Sequence, residues 1–332
     1  MTVPDLTVAI ERWPIAGSFT ISRGSKTEAV VVTATLSQEG HVGRGECVPY
    51  ARYGETVEGV AEAIAGLTVA VANGLDRMEL QSALAPGAAR NALDCAFWDL
   101  EAKRSGQRVW EQLGRPVPDG LITAYTLSVG TPQAMAEAAA KAQHRPLLKV
   151  KLAGRNETGS DDDRIRAVRA AAPESELIID ANEAWTEQDL PHFLDACAEA
   201  RVALIEQPLP AGKDALLADM VRPVPVCADE SAHDLAGLPE LLGRYDAINI
   251  KLDKTGGLTE ALALADAARD AGLKVMVGCM LASSLAMAPA MVIAADADFV
   301  DLDGPLLLDR DRAPGLTFSG SVMAAPPRAL WG

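Results

Sequence analysis

LLKVKL (147–152), LIID (177–180), ALIE (203–206), VCAD (226–229) and AINIKL (247–252) are five short apolar runs in one stretch of a 332-residue chain. Each carries a charge at or beside its C-terminal end, and Ala-rich amphipathic segments lie between them. Successive steps from Lys151 to Asp180, Glu206, Asp229 and Lys251 run roughly 22 to 29 residues, the length of one strand-helix unit. The runs at 122–128, 274–278 and 299–301 bring the number to eight. Eight such strands alternating with helices predict a parallel barrel rather than a sandwich. No clear helix follows Asp303, so the expected fold is α/β, a (β/α)7β modified TIM barrel over 117–309.

Toward the N-terminus the pattern changes. Residues 6–13 alternate, EAVVVTATL (28–36) is rich in β-branched residues, and a third run spans 41–46. Polar loops are predicted at 22–27 (SRGSKT) and 49–54 (PYARYG), and helices at 56–72 and 88–105. This region reads as an α+β capping domain over 1–116. The Pro-rich tail, 310–332, is predicted to pack back on it.

Acidic residues outnumber basic ones by 46 to 30, a net charge of −16, which excludes nucleic acid and anionic membrane as partners. An acidic small-molecule substrate then requires a local positive site. Five widely spaced cysteines with no CxxC pair argue against a zinc site or disulfide framework and for a reducing cytosol. The opening MTVPDLTVAIERWPI lacks a basic segment followed by an apolar one, and no apolar run reaches membrane-spanning length. The expectation is a soluble, cytoplasmic protein. Barrels of this type often form homo-oligomers, but no interface is legible in the chain.

Charges at the C-terminal ends of barrel strands meet at one mouth, and burying them is costly unless they are paired or bind metal. Alone, any of Asp180, Glu206 and Asp229 also reads as a helix N-cap or a salt-bridge partner. Three carboxylates on adjacent strands repel unless a hard cation sits among them, and all-oxygen ligation with room for substrate points to Mg²⁺. Lys151 and Lys251 flank that site. Like-charge repulsion is expected to depress both, leaving one as base and the other as acid. A proton can then leave one face of a carbon and return to the other, with the cation offsetting the charge that builds up in between. Lys149 shares a side of its strand with Lys151 and reads as polarising the substrate carboxylate or tuning Lys151. A lone strand-end lysine can otherwise simply snorkel.

The ordered set Lys149-Val150-Lys151, Asp180-Ala181-Asn182, Glu206-Gln207-Pro208, Asp229-Glu230-Ser231 and Lys251-Leu252-Asp253-Lys254-Thr255-Gly256-Gly257 resembles the muconate-lactonizing-enzyme subgroup of the enolase superfamily. The likeness spans essentially the whole chain. It implies Asp180, Glu206 and Asp229 as metal ligands, Lys151 and Lys251 as the acid/base pair, and Asn182 and Glu230 as supports behind them. The mandelate-racemase subgroup uses a histidine base, whereas the seventh strand here ends Gly278-Cys279-Met280 and no histidine falls at a suitable strand end.

Asp301-Leu302-Asp303 on the eighth strand resembles the dipeptide epimerases, in which two carboxylates hold the free α-ammonium of the substrate; alternate residues of an extended chain share one side. A solvated rim pair or a second metal site is the other reading. The segments around Arg23 and 49–54 look like those of L-Ala-D/L-Glu epimerases. That likeness implies Arg23 as the guanidinium for the Glu side chain, against a plain surface arginine. The whole resemblance implies epimerisation of L-Ala-D-Glu and L-Ala-L-Glu in murein peptide metabolism. Alternatives on the same barrel are a dipeptide epimerase of other specificity, an o-succinylbenzoate synthase-like elimination, a cycloisomerisation, or a catalytically inert binding barrel. The D-x-D speaks against elimination and cycloisomerisation, whose substrates have no ammonium to hold.

Overall fold

Residues 3–332 are described by a computed structural model of the protein; the first two positions of the expected capping domain lie outside the described residues. Three antiparallel strands come first, β1 (Asp5–Ile21), β2 (Gly24–Gln38) and β3 (His41–Cys47), in the order β1-β2-β3. Along β2 the alternating Val32, Ala34 and Leu36 pack with Ala92, Leu93 and Ala96 of the helix Ala88–Ser105, while Val31 turns to the barrel side.

The segment expected as a loop at 22–27 is a two-residue turn at Ser22-Arg23, because Ile21 pairs directly with Gly24 and the hairpin continues to its tip. The helix expected at 56–72 is two helices, Val57–Ala65 and Thr68–Ala72, interrupted at Gly66 and Leu67. Thr56 caps the first by accepting from Gly59 N–H at 3.0 Å.

Helix Ala88–Ser105 crosses β3 where that strand offers Gly43 and Gly45. A Cβ on Gly45 would fall inside contact distance of the Ala92 carbonyl and the Ala96 amide nitrogen, both rigid backbone. Gly45→Ala is therefore expected to destabilise the fold by about 3 kcal/mol, measured by denaturant unfolding; an unchanged midpoint would contradict this packing.

The second sheet has eight parallel strands in consecutive order: Tyr125–Leu127, Leu147–Lys151, Glu176–Asp180, Leu204–Glu206, Val226–Ala228, Ala247–Ile250, Lys274–Gly278 and Phe299–Asp301. The seam between the first and eighth is joined by Ala124 N–H to the Val300 carbonyl at 2.8 Å and Leu302 N–H to Thr123 Oγ1 at 2.8 Å. The floor of the interior is an apolar plug of Ala124, Leu147, Ile178, Leu204, Cys227, Ala247, Met276 and Phe299. Alternation then dictates what comes next. Two residues beyond each plug position on the second to eighth strands lie Lys149, Asp180, Glu206, Asp229, Asn249, Gly278 and Asp301. The intervening Leu148, Val150, Ile179, Ile205, Ile248 and Val277 face the surrounding helices.

Two of the expected helices are stunted. The fourth connection holds only a 3₁₀ turn, Ala215–Ala218, and the fifth only the single-turn helix Leu238–Leu241. Pro208, Pro210, Pro223 and Pro225 in one, and Gly237, Pro239 and Gly243 in the other, prevent longer helices. The run expected at 122–128 is also split. Leu121–Ile122 pairs with Val322–Met323 of the tail, and Tyr125–Leu127 alone joins the barrel.

After the eighth strand comes one helical turn, Gly304–Leu307, and then a tail that contacts the N-terminal sheet and helices. Ile15 bridges to Leu308, Arg44 Nη2 donates to the Ala329 carbonyl at 2.8 Å, and Trp331 Nε1 donates to the Cys95 carbonyl at 2.9 Å. All five cysteines are free thiols. Among the described residues no helix is long and apolar enough to cross a membrane.

Candidate active site

At the C-terminal ends of the third, fourth and fifth barrel strands, Asp180, Glu206 and Asp229 bring one carboxylate oxygen each within 4.8 Å of one another. All three are buried. Buried lysines surround them. Lys151 Nζ lies 2.5 Å from Asp180 Oδ2, and Lys251 Nζ lies 2.6 Å from Asp229 Oδ2 and 3.8 Å from Glu206 Oε1. Lys151 ends the second strand and Lys251 follows the sixth. Four places apart in a ring of eight, they approach the triad from opposite walls.

The charges set each other's protonation. Burial raises Asp180, but Lys151 and Lys149 outweigh it and hold the carboxyl at about 2. Burial and then Asp180 push Glu206 up to about 7. Asp229 is held well below the usual carboxylate range because Lys251 and Lys254 override its burial. The depressed Lys251 expected from like-charge repulsion is not what this arrangement produces. Burial lowers it, but Asp229 and Glu206 more than compensate, and the amine sits well above its ordinary value.

The donor set suits a hard divalent cation: three buried carboxylates with no sulfur or imidazole among them. Glu206 Oε2 is 2.6 Å from Lys149 Nζ, yet accepts no directed hydrogen bond, so a buried oxygen remains with coordinating capacity.

Above this floor opens a cavity of about 740 Å³. Lys151, Lys251, Asp229 and Glu230 line it from the barrel; Arg23, Lys26, Tyr50 and Tyr53 line it from the N-terminal sheet and its loops. Arg23 spans the two parts. Its Nη1 donates to the Asn182 carbonyl (3.1 Å) and Glu183 Oε2 (3.3 Å), and its Nη2 to the Tyr50 hydroxyl (3.0 Å) and Glu230 Oε1 (2.8 Å).

Residues 4–114 match the family described as "Mandelate racemase / muconate lactonizing enzyme, N-terminal domain", and residues 133–328 match "Enolase C-terminal domain-like". The chain belongs to the enolase superfamily. Within that superfamily it is 47% identical to an L-Ala-D/L-Glu epimerase of Escherichia coli (strain K12), over 93% of this chain and 96% of that one. Among solved structures, an enolase family member from Agrobacterium tumefaciens with homology to dipeptide epimerases, bound to sodium and L-Ala-L-Glu, is 54% identical. It has a TM-score of 0.96, covering 99% of this chain and all of that one. A dipeptide epimerase from Enterococcus faecalis V583, complexed with Mg and L-Leu-L-Tyr, is 28% identical with a TM-score of 0.89, covering 98% of both chains.

In this enolase-superfamily barrel the remaining sequence-predicted residues are placed as follows. Lys149, read from the sequence as a substrate contact, does not line the cavity. It lies beneath, with Nζ 2.7 Å from Asp301 Oδ2, 2.6 Å from Glu206 Oε2 and 3.4 Å from Asp180 Oδ2, a counter-charge for three carboxylates. Asp301 and Asp303 are both buried and outside the cavity lining. The extended geometry expected for the pair ends at Asp301, since Asp303 has φ −87° and ψ 3° and precedes a helical turn. Asp303 Oδ2 accepts Thr126 N–H at 2.6 Å, whereas Asp301 Oδ1 is buried without a partner. Burial, and after it Asp301, pushes Asp303 up to about 7. Asn182 has φ 47°, in the left-handed region that asparagine tolerates, and its N–H donates to Asp180 Oδ1 at 2.9 Å. Glu230, held by Arg23, is pushed up to about 7 by burial and by Asp229.

Five residues without a predicted role also hold the site. Asn249 donates to Glu206 Oε1 at 2.8 Å, and Gly278 is a glycine because any Cβ there would strike Asn249. Lys254 Nζ, fully buried, bonds Asp229 Oδ1 at 2.6 Å and the Asn249 carbonyl at 3.0 Å. Gln207 accepts the Asp229 and Ser231 amides on Oε1, at 2.8 and 3.1 Å. Asp253 Oδ1 accepts Val48 N–H (3.0 Å) and Asn91 Nδ2 (2.8 Å), tying the cavity roof to the turn after Lys251. The available clue was a polar residue at an inward position of an apolar strand, as Asn249 is in AINIK.

Proposed function

We propose that the protein epimerises dipeptides at the α-carbon of the C-terminal residue by a two-base 1,1-proton transfer. L-Ala-D-Glu and L-Ala-L-Glu are the favoured pair, as in turnover of murein peptides in the cytoplasm. The observation that carries this reading is the placement of Lys151 and Lys251 on opposite walls around one carboxylate triad. One amine, neutral, takes the α-proton from one face; the other, as ammonium, delivers a proton to the opposite face. The pair finishes with the same total charge and exchanged roles, ready for the reverse reaction. Magnesium held by Asp180, Glu206 and Asp229, one ion per subunit, would supply the positive charge that offsets what accumulates on the substrate carboxylate as the α-proton departs.

Asp301 has the buried acceptor capacity to hold the substrate's α-ammonium, with Asp303 beside it. Lys149 acts through the carboxylates it touches, orienting Asp301 and Glu206. Two units divide the work, 1–116 as the cap that shapes the cavity roof and 117–309 as the barrel, with 310–332 returning to the cap. Residues from both line the cavity. The family relatives described above, one with L-Ala-L-Glu bound and one with Mg and a dipeptide, support the substrate class and the cation.

Incubating a dipeptide panel with the protein and Mg²⁺ in D₂O tests this. A mass gain of one unit and interconversion of L-Ala-L-Glu with L-Ala-D-Glu are expected. Unlabelled dipeptides throughout, with dehydration of a succinylated hydroxycyclohexadiene carboxylate instead, would favour the elimination reading.

A further inference from the structure

A relative with L-Ala-L-Glu bound poses a question of charge: which cation in this cavity meets the second carboxylate? Three basic residues line the wall contributed by the N-terminal sheet and its following loop, Arg23, Lys26 and Arg52. Arg52 is committed to Glu183 through two parallel bonds, Nε to Oε2 at 3.0 Å and Nη2 to Oε1 at 2.8 Å. Arg23 is committed as well. Its two terminal nitrogens carry four N–H groups, and four protein acceptors already take them, one being the buried Glu230. A ligand carboxylate on that fork would have to displace protein partners and leave Glu230 without its counter-charge, at a cost.

Lys26 differs from both. It lies on β2 between Gly24 and Glu28, and all three line the cavity. Its Nζ stands 5.7 Å from the centre of the Tyr50 ring. Among the described residues no carboxylate comes within 4.0 Å of it. The neighbouring acid, Glu28, is paired with Arg12 at 2.5 Å. An exposed ammonium on a flexible stem, beside an aromatic face and facing a cavity, can accept an anion without displacing an existing ion pair.

We infer that Lys26 reads the side-chain carboxylate of the C-terminal residue, and that Arg23 serves as the brace that joins the roof to Asn182 and Glu230. The inference rests on the dipeptide epimerase reading and names the specificity residue within it. A substrate whose α-carbon sits between Lys151 and Lys251 directs that side chain up the cavity wall, where Lys26 is the cation not already engaged by protein acids.

The test compares kcat/KM for L-Ala-L-Glu and for its near-isostere L-Ala-L-Gln in the wild type, Lys26→Met, Lys26→Glu, Lys26→Arg and Arg23→Met. In Lys26→Met the Glu-to-Gln ratio should fall by at least about tenfold, the scale of one hydrogen bond to a charged group, chiefly through KM. Lys26→Glu should lower it further, and Lys26→Arg should restore it. Raising ionic strength should erode the wild-type ratio and leave that of Lys26→Met flat. A Lys26→Met ratio within twofold of the wild type, with normal α-proton exchange, overturns the inference while the epimerase reading stands. So does a tenfold fall confined to Arg23→Met. Absence of exchange with either dipeptide in the wild type overturns both. Because Lys26 is exposed, unchanged thermal unfolding of its variants separates recognition from folding.

Discussion

Lys151→Ala and Lys251→Ala are each expected to lower epimerisation by on the order of 10⁴-fold, the upper range for a positioned acid or base. The two single variants should differ in what survives. With one amine gone, the other can still remove and return a proton on its own face, so solvent deuterium should enter one stereoisomer without inversion. The opposite variant should label the other stereoisomer. The expectation follows from the placement of the amines across the ring, Lys151 beside Asp180 and Lys251 beside Asp229. The double variant should do neither, and it should cost little more than a single one, since the two act as one unit. Mass spectrometry of each isomer after incubation in D₂O decides it. Equal labelling of both isomers in a single variant would mean that the amines share a face, and the two-base scheme would fail.

Glu206→Gln should weaken Mg²⁺ binding by at least about 100-fold and lower turnover in proportion at limiting metal, because it removes one anion from a three-carboxylate set at constant volume. The same change leaves Lys149 with fewer counter-charges, since Glu206 Oε2 is one of its three carboxylate neighbours. Calorimetric titration reads the affinity directly. In the unaltered protein, Mg²⁺ at 100 times its Kd should add about 2.7 kcal/mol of stability, and this gain should be lost in the variant at the same concentration. Chelation should abolish exchange and added Mg²⁺ should restore it. Exchange that persists undiminished in excess chelator would remove the cation from the scheme.

Much of the barrel was legible because its sequence is periodic in two ways at once. Strands such as LLKVKL and LIID are short, β-branched and apolar on their outward positions, and the strand-helix spacing repeats. Alternation then places Lys149, Asp180, Glu206, Asp229 and Asp301 two residues above the apolar plug, and Lys151 and Lys251 two residues further on, so that all share one interior. Where prolines crowd the fourth and fifth connections the repeat persisted in length but not in helix, and spacing alone overestimated the helical content.

The protonation of the site was not legible. Repulsion between lysines is a two-body expectation, whereas the folded site interleaves four buried lysines with buried carboxylates, and burial competes with opposite charge at each one: the carboxylates prevail at Lys251, while burial prevails at Glu206. Lys251 is therefore held up rather than down. The roles of Lys149, Arg23 and Lys26 likewise depend on which acceptors reach them first.

Strand order, the inward and outward faces, and the membership of the carboxylate triad follow from local alternation and repeat length, properties written along the chain. Which cation remains available to a ligand, which carboxylate keeps an oxygen without a partner, and how the cap is tied to the turn after Lys251 depend on contacts between residues distant in sequence, up to the 207 positions that separate Arg23 from Glu230. Those contacts are short-range and directional, so a shift of an ångström makes or breaks them, and one-dimensional spacing carries no such resolution.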